Sequence, residues 1–169
     1  MYESGTRETG RDLIYREKKN DGTLGNETVF LRTRFEEGAP AFSPDGKFIA
    51  YVSNESGQNE VYVRGFPESG RKWRVSTNGG ISPRWPRNAK ELFYVEGDRL
   101  MAVAVTIQPT FSSGTPGPLF TRRTLTSFNP QYDVTADGTR IILTDRVVDE
   151  KPLAIHVVHN WFEEFRGKK

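Results

Sequence analysis

The stretch Ala41-Phe42-Ser43-Pro44-Asp45-Gly46-Lys47-Phe48-Ile49-Ala50-Tyr51-Val52-Ser53 decides the fold. A short apolar approach enters a turn, and a run rich in aromatic and β-branched residues leaves it. The turn chemistry is explicit. Pro44 presets φ, Asp45 accepts from nearby backbone N–H groups, and Gly46 takes a positive φ without steric cost. The pattern predicts two antiparallel strands joined at Ser43–Gly46.

Working outward, the pattern returns twice in weaker form. About 43 positions on, Pro83-Arg84-Trp85-Pro86-Arg87-Asn88-Ala89-Lys90 stands in the place of Pro40 to Lys47, and Leu92-Phe93-Tyr94-Val95 repeats Ile49 to Val52. Asn88-Ala89 replaces Asp45-Gly46, so this turn is expected to be less tight. About 49 positions further, Tyr132 to Gly138 carries the turn again with Asp137-Gly138, followed by Ile141-Ile142-Leu143-Thr144. Between copies lie further strand candidates. Glu60–Arg64 has Val61 and Val63 on one face and Tyr62 on the other, and Lys72–Ser76 alternates with one solvated face. Leu100–Val105 is the strongest strand pattern in the chain. Asp12–Arg16 and Thr28–Leu31 are candidates ahead of the first copy. Four short antiparallel strands in about 40 residues make one propeller blade.

The reading is therefore all-β: a partial, open β-propeller of about three four-stranded antiparallel blades plus a remnant, with a short C-terminal helical turn. As one domain, 1–169, it divides into a remnant blade (1–38), two blades (39–78 and 79–124), an incomplete blade (125–160) and a tail (161–169). Leu153–Val158 is the third strand of the last blade, and Asn160 is the N-cap of the closing helical turn. Phe42, Trp85 and Val134 align at one core position. Tyr51, Tyr94 and Leu143 align at another, and both sets are expected to pack blade on blade.

Composition agrees with short strands and tight turns: aromatics are 12%, with 16 Gly and 10 Pro. Net charge is +2 with the basic residues scattered, which argues against a nucleic-acid or membrane footprint. The absence of cysteine excludes disulfides and thiolate chemistry. Apolar runs of about five residues are far short of a membrane span. The first residues lack the regions of a signal peptide, so the compartment is left open.

The segments Phe42 to Lys47 with Ile49 to Ser53, and Pro83-Arg84-Trp85 with Leu92-Phe93-Tyr94, resemble WD40-like β-propeller repeats of the TolB type. Tyr51 to Gly57, Val61-Tyr62-Val63, Phe66-Pro67, Trp73 and Val75 to Gly80 are similar to the C-terminal propeller of bacterial membrane-bound serine/threonine protein kinases. Val157 to Glu164 also resembles the end of such proteins. The resemblance implies an extracytoplasmic propeller attached to a membrane-bound parent. No Gly-rich phosphate loop, His-Arg-Asp or Asp-Phe-Gly is present, so no catalytic residue carries over. TolB-type propellers have six blades as a rule. This chain reads as the C-terminal half of one.

The chemistry-bearing residues favour structural roles. His156 and His159, three apart on a strand, face opposite ways and do not suit a shared metal. Asp45, Asp133 and Asp137 lack calcium-loop spacing and read as turn formers. Ser43, Asp45 and His156 could be drawn as a triad, but no Gly-x-Ser-x-Gly elbow holds the serine. Ser43, Pro44, Asp45, Gly46, Asp137 and Gly138 are thus structural turn residues. Arg84 and Arg87, with Arg122 and Arg123, are candidates for an anion or peptide patch. Trp73, Trp85 and Trp161 are candidate contact aromatics, with core packing the stronger reading for Trp85. No catalytic, cofactor or metal residue is assigned.

The function expected is a non-catalytic binding or scaffold module. It would belong to a larger sensor or protein-kinase-like protein and hold a protein or peptide by its rim loops. The alternatives are the propeller accessory to a prolyl oligopeptidase-like hydrolase, or a gene fragment without independent function. An open array exposes sheet edges, so association with the missing N-terminal half of the propeller or self-association is expected.

Overall fold

The computed structural model describes residues 10–68, 70–108, 110–126 and 132–144. The Ser43–Gly46 turn organises its best-formed sheet. Gly46 N–H donates to Ser43 O at 2.9 Å with Gly46 at φ 70°. The Asp45 carboxylate accepts from Ser43 Oγ (2.7 Å) and Lys47 N–H (3.1 Å), and Ser43 Oγ accepts from Phe48 N–H at 3.0 Å. The Ser43 and Asp45 side chains are thus both engaged within the turn, which holds the strands on either side together.

Those strands are β3 (Glu37–Phe42) and β4 (Phe48–Ser53), joined antiparallel by β5 (Glu60–Gly65) and β6 (Lys72–Arg74) in the order β3-β4-β5-β6. β6 ends sooner than the alternation suggests. Val75 N–H bonds Val61 O at 2.8 Å, and the chain then turns away toward the next sheet. That sheet holds β7 (Ile81–Arg84), β8 (Glu91–Glu96) and β9 (Arg99–Thr106). Its fourth position is shared by β10 (Ser112–Ser113) and β11 (Gly117–Thr121), which pair with opposite ends of the long β9. Two smaller sheets flank these: β1 (Leu13–Tyr15) with β2 (Thr28–Leu31), and β12 (Tyr132–Val134) with β13 (Ile141–Leu143). A 3-10 turn, Arg123–Thr126, precedes β12. The architecture is an all-β, open, partial propeller. The expected third strand at Leu153–Val158 and the helical turn after Asn160 lie outside the described residues.

Each four- or five-stranded sheet buries both faces, because its strands put alternate side chains on its two neighbours. Val61 and Val63, with Phe48 and Ala50, meet Leu92, Tyr94, Met101 and Val103 of the next sheet. On the reverse face Ile49, Tyr51 and Tyr62 meet Leu13, Phe30 and Leu31. Phe93, Val95 and Leu100 meet Tyr132, Ile141 and Leu143. Burying each large side chain contributes about 1.5–3 kcal/mol. Side-chain bonds tie sheet to sheet, among them Trp85 Nε1–H to Ala41 O (3.1 Å) and Tyr132 Oη–H to Ser82 O (2.6 Å).

The aligned core positions divide. Tyr51 and Tyr94 are fully buried, and Trp85 is half-buried against Phe111. Phe42 is instead 52% exposed, with Phe66 edge-on to its ring, so its expected burial between blades does not hold. The physical reason is the neighbour. Trp85 lies against β3 of the preceding sheet, whereas among the described residues the sheet before Phe42 has only β1 and β2.

The Asn88-Ala89 turn keeps the same form as its better-made copy. Ala89 N–H bonds Pro86 O at 3.1 Å, Lys90 N–H bonds Asn88 Oδ1 at 3.0 Å, and Ala89 takes φ 52° where the first copy has glycine. A second repeated feature places its positive φ on residues other than glycine. β3 and β7 each carry a register shift, and Ala39 (φ 48°) and Ser82 (φ 52°) lie there, 43 residues apart.

Candidate functional site

Antiparallel strands alternate direction, so the loops gather at two rims. The three turns of the repeat lie on one. The β4–β5 and β8–β9 turns and the sheet-to-sheet connections lie on the other. A cleft of ≈ 310 Å³ opens at this second rim between the two large sheets. Its walls include Gln58, Asn59, Gly79 and Gly97, and Ile81, Val95 and Leu125 give it an apolar base.

A buried carboxylate builds one wall. Glu60, at the head of β5, is fully buried. Its Oε1 accepts from Gln58 Nε2 (2.8 Å), Arg74 Nη2 (2.7 Å) and Gly79 N–H (3.1 Å), and its Oε2 accepts from the Ser76 hydroxyl. Ser76 Oγ in turn accepts Val61 N–H at 2.7 Å. Burial pushes the Glu60 pKa up. The hydrogen bonds from Ser76, Gln58, Arg74 and Gly79 outweigh it and hold the carboxyl below its usual range. One anion thus pins the β6–β7 connection onto β5. Gly80 is held there too, its N–H on Asn59 O at 2.8 Å. A Cβ at this position would lie 2.5 Å from Ser76 Oγ and 3.0 Å from Val61 Cγ2.

The same connection one repeat earlier is made differently. Glu37 N–H bonds Arg11 O at 2.9 Å, as Gly80 N–H bonds Asn59 O. The Glu37 side chain is buried, with Oε1 accepting from Thr33 Oγ1 (2.6 Å) and Ser53 Oγ (3.4 Å). Its Oε2 has no hydrogen-bond partner among the described residues. Burial raises its pKa, against the bonds from Thr33 and Ser53, and the nearby Asp12 and Glu55 charges add to the rise.

The residues singled out from sequence fall elsewhere. Ser43 Oγ is engaged with Asp45 and Phe48, in keeping with a turn role rather than a nucleophilic one. Asp137 accepts from Thr135 Oγ1 (2.5 Å) and Thr139 N–H (3.1 Å), which holds its carboxyl down at about 2, and Gly138 sits at φ 74°. Asp133 accepts from Val134 N–H. Among the described residues no group of three His, Cys, Asp or Glu is placed to hold a metal ion. His156, His159 and Trp161 lie outside the described residues.

The four arginines do not converge. Arg84 and Arg87 are at the turn rim, where Arg84 stacks 5.9 Å over Tyr132 and donates to Pro83 O. Arg87 is exposed in a turn whose neighbour, Asn88, reaches the third turn through Asp137 O (2.7 Å) and Ala136 O (3.1 Å). Arg122 and Arg123 are at the opposite rim, where Arg122 N–H bonds Asp98 O. Trp73 is half-buried between Phe48 and Phe111, with Arg71 over its ring, so it serves packing. Sequence reasoning missed Glu60, Ser76 and Gly79. The legible signal was an acid opening the apolar run Val61-Tyr62-Val63, with a Ser and paired glycines about 16–20 residues on.

No family model matches the sequence. Among solved structures the chain is similar to TolB from Acinetobacter baumannii, at 18% identity and a TM-score of 0.42. The match covers 79% of this chain and 43% of that one, so the chain spans less than half of that structure's length. At this identity and score the likeness adds nothing to the fold read from the sheets themselves.

Proposed function

We propose that the chain is a non-catalytic protein-binding module that takes an extended peptide or loop in the cleft between its two large sheets. The observation that carries this is the construction of that cleft. Its base is apolar, its walls are partly glycine backbone, and a buried carboxylate with four donors holds one wall in place. Such a cleft suits an apolar anchor side chain with main-chain contacts at its edge. The module is attached to a larger sensor or protein-kinase-like protein, a reading that rests on sequence resemblance alone.

The test is selection of a peptide library on the immobilised chain, followed by affinity measurement. Asn59 is exposed, so Asn59→Trp fills the cleft without disturbing the core. Selected peptides are expected to lose at least about tenfold in affinity for that variant, or about 1.4 kcal/mol, and none for Arg87→Ala at the other rim. Peptides that ignore Asn59→Trp and require Arg87 would refute the cleft reading, and so would a selection that yields no binder.

A further inference from the structure

We propose that Asn78 is a self-modification site. Its side-chain amide is displaced by the backbone nitrogen of Gly79, giving a succinimide and then aspartate or isoaspartate, and the bond from Gly79 to Glu60 sets the rate. The reaction belongs to the β6–β7 connection itself and does not depend on the cleft taking a peptide.

Asn78 is the one asparagine in the sequence that precedes a glycine. Ring closure brings the nitrogen of the next residue onto the asparagine Cγ, and a glycine there has no side chain in the way. Asn78 is exposed in a bend, and Gly79 takes φ 95°, a conformation that suits glycine. Other asparagines at turns are held by their side chains. Asn54 Oδ1 accepts from Glu36 N–H (3.0 Å). Asn88 uses both ends of its amide, Oδ1 on Lys90 N–H (3.0 Å) and Nδ2–H on Asp137 O (2.7 Å).

The backbone on either side of Asn78 is locked. Before it, Arg74 donates from Nε to Ser76 O (2.9 Å) and from Nη2 to Thr77 O (3.3 Å). After it, Gly79 N–H donates to Glu60 Oε1 (3.1 Å) and Gly80 N–H to Asn59 O (2.8 Å). The Gly79 nitrogen must lose its proton to attack. While it faces Glu60, that loss would set a negative nitrogen beside a carboxylate, and like charges at this separation repel. Ring closure also pulls the nitrogen off Glu60. The reaction therefore runs in molecules whose Gly79–Glu60 bond has opened, a local opening and not an unfolding of the sheets.

The step balances with water as its one co-reactant. The bond from Gly79 N to Asn78 Cγ forms, the bond from Asn78 Cγ to Nδ2 breaks, and the amide nitrogen leaves as ammonia with the proton from Gly79. Water then opens the ring. Attack at Cγ gives aspartate. Attack at the main-chain carbonyl gives isoaspartate, whose chain runs through Cβ and Cγ and is longer by an atom. That added length falls between the bonds of Arg74 and those of Glu60 and Asn59. A negative charge is also added to the loop that Glu60 holds. Both work against re-forming the bonds of Gly79 and Gly80, so the change loosens the wall in one direction only.

Peptide mapping of the full chain, aged near neutral pH, tests this. Conversion is expected at residue 78, as a mixture of aspartate and isoaspartate, and not at Asn54 or Asn88. Glu60→Gln removes the charge that faces Gly79 and is expected to speed conversion about 5- to 30-fold, the change in open population that a modest loss of stability gives. Phe30→Leu loosens the packing on the reverse face of β4, away from the loop, and is expected to leave the rate unchanged. Asn78→Gln, which would need a larger ring, is expected to abolish it. Chains carrying isoaspartate are expected to lose exchange protection at the Gly80 amide. No conversion at residue 78, conversion spread equally over the asparagines, a rate that Glu60→Gln leaves unchanged or lowers, a rate that Phe30→Leu raises as much, or full Gly80 protection in the isoaspartate form would each overturn the proposal.

Discussion

Replacing Glu60 with alanine should unfasten the connection between the two large sheets. The carboxylate takes four donors, and they are not equally protected. Gln58 and Arg74 are exposed and would turn to water at small cost. Ser76 is fully buried and Gly79 half-buried, so both would lose a partner with little replacement. Each buried polar group left unpaired costs about 1–3 kcal/mol, and Ser76 and Gly79 are two such groups. Glu60→Ala is therefore expected to lose about 2–6 kcal/mol at pH 7. Glu60→Gln, which keeps one acceptor oxygen, is expected to lose about 1–3 kcal/mol. The pH dependence has a definite sign. The folded carboxyl is held below its usual range, so its contribution is complete above the unfolded pKa of about 4.3 and is lost as pH falls through the lowered value. The gap between wild type and Glu60→Ala should thus narrow from pH 7 to pH 3. Urea unfolding followed by tryptophan fluorescence measures both quantities. A loss under about 1 kcal/mol at pH 7, or a gap that stays constant with pH, would refute the reasoning.

Glu37 should behave in the opposite sense. Its folded pKa is raised, so the stability linked to its protonation is fully present below the unfolded pKa and is lost as pH rises through the folded value. Glu37→Gln is expected to raise stability at pH 7 by on the order of 1 kcal/mol, with little effect near pH 4, as thermal scans at both pH values would show. Ala89→Gly should stabilise by about 1 kcal/mol, because it relieves a left-handed alanine in a turn that glycine fills in the other copies. Urea midpoints would report it. Gly80→Ala should cost about 1–3 kcal/mol on the same assay, since its Cβ meets both Ser76 and Val61.

The parts of the fold carried by local chemistry were legible in the sequence. Asp45-Gly46 and Asp137-Gly138 announce their turns, and the alternation around Tyr62 correctly assigns Val61 and Val63 to the opposite face. What escaped depends on neighbours distant in sequence. Phe42 and Trp85 are equivalent by pattern, yet among the described residues only Trp85 has a first strand beside it. The strained backbone at Ala39 and Ser82 falls on residues that carry no mark of it. The cleft was invisible because its walls are partly glycine backbone, and because Glu60 finds Ser76 and Gly79 only after two turns of chain. The grouping of four arginines failed because strand direction sends two of them to each rim.

The central claim is that the Glu60 carboxylate holds the wall of the cleft between the two large sheets. Hydrogen–deuterium exchange of the full chain and of Glu60→Ala at pH 7 tests it most directly. In the variant, protection at the Val61, Gly79 and Gly80 amides is expected to fall, while β8 and β9 stay protected. Exchange at those three amides that is the same in both proteins would contradict the account.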